Sequence, residues 1–448
     1  MLVVRVVTVG RARLVGAAVR RRLLSALTGS APTASILDTP ARCNSQLAAD
    51  AHRSRHKNVI TGPDAVALRL HRGHLVVQHP RWPVDDAFFS LAWLWDHCRC
   101  RHCYDDSTFQ RKTDVRQLSS VGNPLQFNVN STGTVLEIIW HDGHQSEYSL
   151  QWLWENSYVG ARHREQRQSR LWQRCLWDGR RTSAVDLTSV VYDSFMTTEE
   201  GVRRLMKGFL THGAAVVTGV APTPAATQAV VERVGVVQHT MFGGVWEFTA
   251  DGRHADTAYG RDELLPHTDG TYYSEPPGVQ VFHCLAHHGH GGETTLVDGF
   301  AALHALHQAD PAAYELLSRV PCAGEYRDPS RRLHMVGDGP VIAHRAGAEP
   351  APDSLLRLRF NPYDRAAARR GEPAEVEAFY GAYGRLTELL WDERRRLRLK
   401  LRPGTVILID NWRVLHGRAA FTGRRHMCGA YMARSDVLSR ARSVGLLI

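Results

Sequence analysis

The stretch Leu264–Gly278, LLPHTDGTYYSEPPG, determines how the rest of the chain is interpreted, because it places His267 and Asp269 two residues apart. A second histidine, His416, lies far downstream within Asp410–Arg418, DNWRVLHGR. In an extended segment, side chains two residues apart point to the same face. Two imidazoles and one carboxylate form the facial triad of a non-haem Fe(II) site, whose open positions accept a bidentate keto acid and O2. The sequence therefore predicts that these three residues bind iron.

A bare His-x-Asp pair is a weak indication of a metal site, because the chain contains 24 histidines. The surroundings strengthen it, since a keto acid needs a cation for its distal carboxylate, and arginine offers planar, two-pronged donation. Arg425 lies in the next predicted strand, with Arg418 and Arg424 as alternatives, and the hydroxyl of Thr294 can reach the same carboxylate. These residues predict a keto-acid pocket beside the iron.

Aromatic residues lie on both sides of the predicted triad in the sequence, at Phe242, Trp246, Tyr259 and Tyr431. Each of them alone would be interpreted as a core residue. As a set they can form a cage around a quaternary ammonium group, held by cation–π attraction. Asp256 and Asn361 are polar candidates for the amino-acid end of such a substrate.

Three cysteines fall within six residues, at Cys98, Cys100 and Cys103. Zinc binds thiolate and imidazole in tetrahedral geometry, so this cluster needs a fourth ligand. His144 is the favoured ligand because it follows the hairpin turn signal Asp142-Gly143. The competing histidines are His97, His102 and His141. Since no position is left open for a catalytic water, the zinc is predicted to be structural.

Short predicted strands dominate the second half of the chain, without a repeated β-α-β rhythm. This pattern favours a jelly-roll barrel with flanking helices over a doubly wound sheet. The predicted organisation is a leader over residues 1–57, a small β-rich zinc-binding domain over 58–161, a connector over 162–195 and a catalytic domain over 196–448.

The chain of 448 residues has a formal net charge of +10. Residues 1–57 supply ten basic and two acidic residues, a net +8, so the remainder carries only +2. This leaves little basic excess for nucleic-acid binding. The first 30 residues are Arg-rich, amphipathic and free of acidic residues, which is typical of a mitochondrial transit peptide and predicts the mitochondrial matrix. No apolar run is long enough to span a membrane, and the spread of eight cysteines does not indicate a disulfide framework.

With these residues identified, the chain resembles the γ-butyrobetaine/trimethyllysine dioxygenase family. The motifs that carry the resemblance are WLWDHCRCRHC at residues 93–103, WHDGHQSEYSLQWL at 140–153, HTDGTYY at 267–273, GVQVFHCL at 278–285, GGETTLVDGF at 291–300 and DNWRVLHGR at 410–418. Residues 255–260, ADTAYG, and the closing residues 421–446 resemble the trimethyllysine branch of that family, and the transit-like leader agrees with a mitochondrial member.

The resemblance implies a double-stranded β-helix (jelly-roll) domain, an N-terminal zinc module and 3-hydroxylation of N6,N6,N6-trimethyl-L-lysine, the first step of carnitine biosynthesis. By motif, it implies iron on His267, Asp269 and His416, 2-oxoglutarate on Arg425 and Thr294, zinc on Cys98, Cys100, Cys103 and His144, and an ammonium cage of Trp246, Tyr259 and Tyr431. For such an enzyme we also expect O2 as co-substrate, ascorbate as reductant and a homodimer.

Two alternatives remain open at this stage: a γ-butyrobetaine hydroxylase, and a non-catalytic zinc-binding homologue with a vestigial triad. The sequence also departs from the family pattern. Phe242 stands where the family usually has Tyr, Pro362 replaces one residue of an Asn-Asn pair, and the loop around residues 345–352 is unusually rich in Ala and Pro. None of these departures touches the predicted triad, so they bear on substrate affinity and leave the predicted activity intact.

Overall fold

The structure is a computed structural model that describes residues 58–59, 66–82, 86–158, 172–179, 187–249, 260–367 and 372–447. It divides into two compact units, residues 1–167 and 168–448. The predicted leader lies outside the described residues, and the finer division at residues 161 and 195 stays a prediction.

The first unit is built from antiparallel strands, as expected for a small β-rich module. In chain order its described strands are β1 Asn58–Val59, β2 Ala67–His71, β3 His74–Gln78, β4 Ala87–Ser90, β5 Tyr104–Asp105, β6 Gln110–Arg111, β7 Gln126–Val129, β8 Val135–Ile139 and β9 Gln145–Ser149. Strands β1 to β4 form one sheet, β7 to β9 form a second, and β5 and β6 form a hairpin. Its core buries Leu75, Phe89, Leu136 and Trp140 almost completely.

Two short helices of this unit follow strands in the same way. Helix α1, Leu91–Asp96, is capped by Ser90, and helix α2, Leu150–Glu155, is capped by Ser149. In both, the serine hydroxyl accepts a hydrogen bond from the third residue of the helix, which satisfies an amide that the helix itself leaves unpaired. The tryptophans at those two positions stack with their ring centroids 5.6 Å apart.

The second unit contains two facing sheets flanked by helices. Its described strands are β10 Ser189–Val191, β11 Ala214–Thr218, β12 Val245–Thr249, β13 Leu264–His267, β14 Val279–His288, β15 Thr294–Asp298, β16 Gly324–Asp328, β17 Leu333–Gly337, β18 Ile342–His344, β19 Leu355–Leu358, β20 Leu397–Leu399, β21 Thr405–Asp410, β22 Val414–Arg418 and β23 Arg424–Met432. The six-stranded sheet has the order β10-β11-β21-β14-β23-β12, and the four-stranded sheet has the order β13-β22-β15-β20. This confirms the predicted jelly-roll.

The described helices of this unit are α3 Tyr192–Thr197, α4 Glu199–His212, α5 Pro224–Val234, α6 Gly299–Ala309, α7 Pro311–Arg319, α8 Pro373–Trp391 and α9 Arg434–Ser443. Helix α4 begins where Thr198 accepts a hydrogen bond from the Gly201 amide, and it ends at Gly213, whose φ of 79° suits glycine. No described helix is both long enough and apolar enough to cross a membrane.

The sequence of strand β21 is a continuous apolar run, and the packing of its side chains explains why. Val406 and Leu408 pack on the helical side, while Ile407 and Ile409 face the layer between the sheets, where they meet Leu296 of β15. All five side chains are at most 1% exposed. Because both faces of the strand are covered, the usual alternation with polar residues is absent.

A buried ion pair anchors the turn that leads into β22. The Arg413 guanidinium donates to both carboxylate oxygens of Asp298, at 3.1 and 2.8 Å. The Asp298 carboxylate also accepts from amides at the start of α6 and from the Trp177 amide. Removing one partner of such a pair leaves an uncompensated buried charge, which typically costs about 3–5 kcal/mol. The pair therefore fixes the turn three residues before His416.

Candidate active site and metal centres

The three residues of the predicted triad come together at the junction of two neighbouring strands. His267 is the last residue of β13, and it lies directly opposite His416 of β22 in the antiparallel register. The two ring centroids are 4.8 Å apart. The carboxylate of Asp269 faces both rings, with Oδ1 3.3 Å from Nε2 of His267 and Oδ2 3.5 Å from Nε2 of His416.

Asp269 reaches this position by a route that the sequence did not predict. We expected it in the same extended segment as His267, but β13 ends at His267 and Asp269 lies in a bend. The bend is held by Asn411, whose side chain accepts from the Asp269 amide at 2.8 Å and donates to the Asp269 carbonyl at 3.0 Å. The next residue, Gly270, has a φ of +70°, which glycine tolerates best.

Hydrogen bonds orient the donor atoms of the site. Nδ1 of His267 lies 2.8 Å from the Leu265 carbonyl oxygen, so Nδ1 carries the proton and the Nε2 lone pair faces the site. The Tyr431 hydroxyl donates to Oδ2 of Asp269 at 2.8 Å. Neutral imidazole nitrogens and an ionised carboxylate form a donor set suited to a divalent transition metal.

Burial and the neighbouring charges shift the pKa values of Asp269, His267 and His416 in opposite directions. Burial favours a raised pKa for Asp269, but the imidazoles of His416 and His267 outweigh it, and the pKa lies far below its usual range. Burial would lower the pKa of His267, but the Asp269 carboxylate outweighs it and raises that pKa. Burial lowers the pKa of His416 despite the same carboxylate. A divalent metal ion would bind the neutral imidazoles, so its binding at this site competes with protonation of His267 and His416.

A buried cation lies in the same cleft. Arg425 on β23 is 8% exposed, and burial, reinforced by the neighbouring Arg418, lowers its pKa to about 10. None of the described carboxylates forms an ion pair with Arg425, whose guanidinium lies 5.9 Å from the centre of the Phe421 ring. A buried guanidinium so placed fits an anionic ligand.

The other residues that were predicted to bind the keto acid differ in whether they line this cleft. Thr294, at the start of β15, lines the cleft and is 3% exposed. Arg418 also lines it, but its guanidinium donates to the Asp262 carbonyl oxygen. Arg424 is exposed and is not among the residues that line the cleft. Arg425 and Thr294 are therefore the better placed pair.

Three of the predicted cage residues line this cleft, whose empty space, together with its opening to solvent, is about 950 Å3. The Trp246 and Tyr431 ring centroids are 4.7 Å apart, and those of Phe242 and Trp246 are 5.7 Å apart. Trp246 packs against Gly429, its partner across the β12–β23 ladder, and a Cβ at Gly429 would come within 2.7 Å of the indole. Asp256 and Tyr259, also predicted to bind substrate, lie outside the described residues.

Some residues that line the cleft were not singled out from the sequence. Asn361 was predicted and does line it. The aromatic and polar lining residues that were missed are Phe248, Tyr272, Gln280, Phe282, Tyr363 and Asp364. Of these, Tyr272 had a usable signal, because it lies three residues after Asp269 in the same motif. The others come from segments that approach the cleft only through tertiary folding.

The cysteine cluster of the first unit is completed by one histidine. Nε2 of His144 lies 3.3 Å from Sγ of Cys98, 3.8 Å from Sγ of Cys100 and 3.4 Å from Sγ of Cys103. Tetrahedral zinc with typical bond lengths would hold sulfur and nitrogen about 3.5 Å apart. His97, His102 and His141 are not part of this group. The donor set and its spacing therefore fit zinc.

Local structure explains why His144 reaches the cysteines. The turn between β8 and β9 contains Gly143, with a φ of +82°, and the His144 amide donates to Oδ1 of Asp142 at 3.0 Å. The cysteines follow directly after α1. His97, by contrast, has Nδ1 2.7 Å from the Trp93 carbonyl oxygen and stacks on the Trp93 ring.

A jelly-roll in which two imidazoles and a carboxylate meet beside a buried arginine defines the class of non-haem iron oxygenases. Two family models match the chain: "Taurine catabolism dioxygenase TauD, TfdA family" over residues 181–431, and "Gamma-butyrobetaine hydroxylase-like, N-terminal" over residues 81–154. The chain belongs to the TauD/TfdA dioxygenase family. It is accordingly a 2-oxoglutarate-dependent iron dioxygenase.

Curated relatives agree with this assignment. The chain is 40% identical to the mitochondrial trimethyllysine dioxygenase of Gallus gallus, covering 86% of this chain and 90% of the relative. It is 41% identical to the corresponding protein of Homo sapiens, over 80% and 83% of the two chains. Identity to the γ-butyrobetaine dioxygenase of Homo sapiens is 26%, over 80% and 91%. The predicted resemblance is confirmed.

The geometry of the cysteine cluster yields a prediction for metal content. Replacing His144 with Ala removes one of four zinc ligands, so the purified full-length chain should lose most of its zinc, whereas His141→Ala should retain it. Zinc per chain is measured by elemental analysis after dialysis against a weak chelator. Equal zinc content in both variants would contradict the assignment of His144.

Proposed function

We propose that this chain hydroxylates N6,N6,N6-trimethyl-L-lysine at C3, as the first step of carnitine biosynthesis, with 2-oxoglutarate and O2 as co-substrates. The observation that carries the proposal is the joint placement, in one cleft, of the His267, Asp269 and His416 donors and an aromatic box of Phe242, Trp246 and Tyr431. The names of the relatives at about 40% identity support the same substrate.

His267, Asp269 and His416 would hold the ferrous ion through two Nε2 atoms and the carboxylate. When bound, the ion supplies O2 activation coupled to the oxidative decarboxylation of 2-oxoglutarate to succinate and CO2. The protein contributes the preset geometry: Asn411 holds the Asp269 backbone, and the Tyr431 hydroxyl holds Oδ2. These contacts limit the reorganisation that metal binding requires.

Arg425 and Thr294 would bind the distal carboxylate of 2-oxoglutarate. The buried guanidinium offers two parallel donors, and the threonine hydroxyl adds a third. They come from opposite sheets, β23 and β15, so both layers of the jelly-roll define this end of the cleft. Burial keeps water from competing for the same donors.

Phe242, Trp246 and Tyr431, with Tyr259 as a proposed fourth member, would surround the trimethylammonium group. A quaternary ammonium group has no N–H to donate, so aromatic faces that exclude water are its natural partners. Asn361 and Asp256 are proposed to contact the amino-acid end. Holding the substrate at both ends selects which carbon faces the iron, and such orientation is a large part of catalysis.

The remaining assignments complete the proposal. Cys98, Cys100, Cys103 and His144 would hold a structural zinc ion. Several relatives are named as mitochondrial, and we place this chain in the mitochondrial matrix. A homodimer and ascorbate as reductant stay predictions.

The proposed reaction is tested by incubating the purified chain with Fe(II), 2-oxoglutarate, O2 and either trimethyllysine or γ-butyrobetaine. We expect one added oxygen atom at C3 of trimethyllysine by mass spectrometry, with one succinate formed per product. Asp269→Ala should abolish this coupled product while thermal stability is retained. Preferential turnover of γ-butyrobetaine would contradict the proposed substrate, and coupled turnover by Asp269→Ala would contradict the proposed iron site.

The close packing of Trp246 on Gly429 yields a prediction for the aromatic box formed by Phe242, Trp246 and Tyr431. Gly429→Ala places a methyl group against the indole, so the ring must move, and KM for trimethyllysine should rise by roughly tenfold, the scale of a lost cation–π contact. Gly384→Ala is the matched control, because an added Cβ there meets nothing within 4 Å. An unchanged KM in the Gly429 variant would show that the indole does not bind the cation.

A further inference from the structure

Phe242 differs from the other two residues of the aromatic box because it lies in a turn, whereas Trp246 and Tyr431 belong to strands β12 and β23. The centroid of its ring is 5.7 Å from that of Trp246 and 6.4 Å from that of Tyr326 on β16. A phenylalanine ring has no hydroxyl that could be hydrogen-bonded, so packing and the backbone that carries it set its place. The position of the turn therefore decides how far Phe242 stands from the indole.

The turn, residues 240–243, is closed by its own hydrogen bonds. The Thr240 amide donates to the Gly243 carbonyl oxygen at 3.0 Å, and the Gly243 amide donates back to the Thr240 carbonyl oxygen at 2.9 Å. The Phe242 amide donates to Oγ1 of Thr240 at 3.2 Å. Because these bonds make the turn a compact unit, a contact that holds any part of its backbone also holds Phe242.

Arg331, at the tip of the β16–β17 hairpin, makes such a contact. Its Nη1 donates to the Met241 carbonyl oxygen at 2.8 Å, and its Nη2 donates to the Tyr326 hydroxyl at 3.1 Å. Its Nε donates to Oδ2 of Asp328 at 2.6 Å. All three nitrogens of the planar guanidinium are thus engaged, an arrangement that the ammonium group of a lysine does not reproduce.

The other end of the hairpin is fixed to the segment that follows the iron triad. Gly324 and Gly337 pair across the two strands, and both lie against the backbone of residues 271–273. A Cβ at Gly324 would come within 2.6 Å of Thr271, and one at Gly337 within 2.5 Å of the Tyr273 carbonyl oxygen. The hairpin therefore links the segment just after Asp269 to the turn that carries Phe242.

We propose that Arg331 is a positioning residue that fixes the width of the aromatic box, and that this fixed width selects a trimethylated over a dimethylated ammonium group. This inference rests on the proposed function and extends it to the degree of methylation. A dimethylammonium group keeps one N–H that water can solvate, so it loses more on entering an aromatic site that excludes water. A box that can widen admits water, and the difference between the two groups becomes smaller.

The test compares N6,N6,N6-trimethyl-L-lysine with N6,N6-dimethyl-L-lysine, which differ by one methyl group. In Arg331→Gln we expect KM for trimethyllysine to rise by roughly three- to tenfold, the scale of a weakened cation–π contact. The kcat should stay nearly unchanged, which is the signature of lost ground-state binding. The ratio of the two kcat/KM values, trimethyl over dimethyl, should fall.

Two further measurements keep the comparison complete. If dimethyllysine is bound without turnover, its inhibition constant against trimethyllysine replaces its kcat/KM. If Arg331→Gln does not fold, Arg331→Lys takes its place: it keeps the charge but not the planar three-way donation, so the same ratio should fall.

Arg327→Gln is the matched control. Arg327 lies on the same strand and donates to Oε1 of Glu325 through two nitrogens, at 2.9 and 2.6 Å. Its replacement also removes one positive charge and one ion pair from the hairpin, but none of its described hydrogen bonds reaches the turn 240–243. It should leave both KM and the ratio unchanged. Iron content and thermal midpoint, measured for every variant, separate an altered box from loss of the fold.

A double-mutant cycle shows whether Arg331 acts through Phe242. Phe242→Leu removes the ring but keeps an apolar side chain, and by itself it should raise KM for trimethyllysine. If Arg331 acts by placing that ring, adding Arg331→Gln to Phe242→Leu should change KM little. Two independent effects would instead multiply, and a general structural role of Arg331 predicts that outcome.

Four results overturn the inference while the proposed function stands. They are a wild-type protein that uses both compounds equally well, an unchanged ratio in Arg331→Gln, the same fall in the ratio in Arg327→Gln, and multiplied effects in the double variant. A wild-type protein that hydroxylates neither compound would instead refute the proposed function, and the inference would fall with it. The wild-type assay alone distinguishes that case.

Discussion

The antiparallel register between β13 and β22 is the constraint on which the site depends. It sets His267 directly opposite His416. Because side chains alternate along a strand, a slip of one residue would turn one imidazole to the opposite face of the sheet and away from the other. The bend after β13 then brings Asp269 between the rings, so one strand pair and one turn create the whole donor set.

Contacts elsewhere in the second unit stabilise this register between β13 and β22. The Asp298–Arg413 pair fixes the turn before β22, and Asn411 in the same turn holds the backbone of Asp269. These contacts link the two sheets and the start of α6 to the donor atoms. The cleft is lined by charges of both signs, among them the buried guanidinium of Arg425 and the carboxylate of Asp364.

Local patterns in the sequence were sufficient for much of this structure. The succession of short strands without a β-α-β rhythm predicted the jelly-roll, and a turn signal before His144 favoured the one of four candidate histidines that lies beside the three cysteines in the structure. In both cases the information lies within short segments, because strand period and turn chemistry are local properties.

The features that were missed depend on contacts between distant segments. The bend at Asp269 is held by Asn411, 142 residues away, and no local propensity reports that bond. Asp364 and Tyr363 reach the cleft because Phe360 bonds to Thr268, 92 residues away. Arg425 was favoured over Arg424 from the sequence, but the burial of Arg425 and the exposure of Arg424 depend on the sheet partners of their strand, which no local pattern reports.

The central claim, that one ferrous ion is held jointly by the two strands and the bend, is tested most directly by anaerobic Fe(II) binding to the full-length, zinc-loaded chain. The account predicts one tightly bound ferrous ion per wild-type chain in addition to zinc, and loss of tight iron binding in His416→Ala with zinc content and thermal midpoint unchanged. Iron affinity equal to wild type in His416→Ala would contradict it.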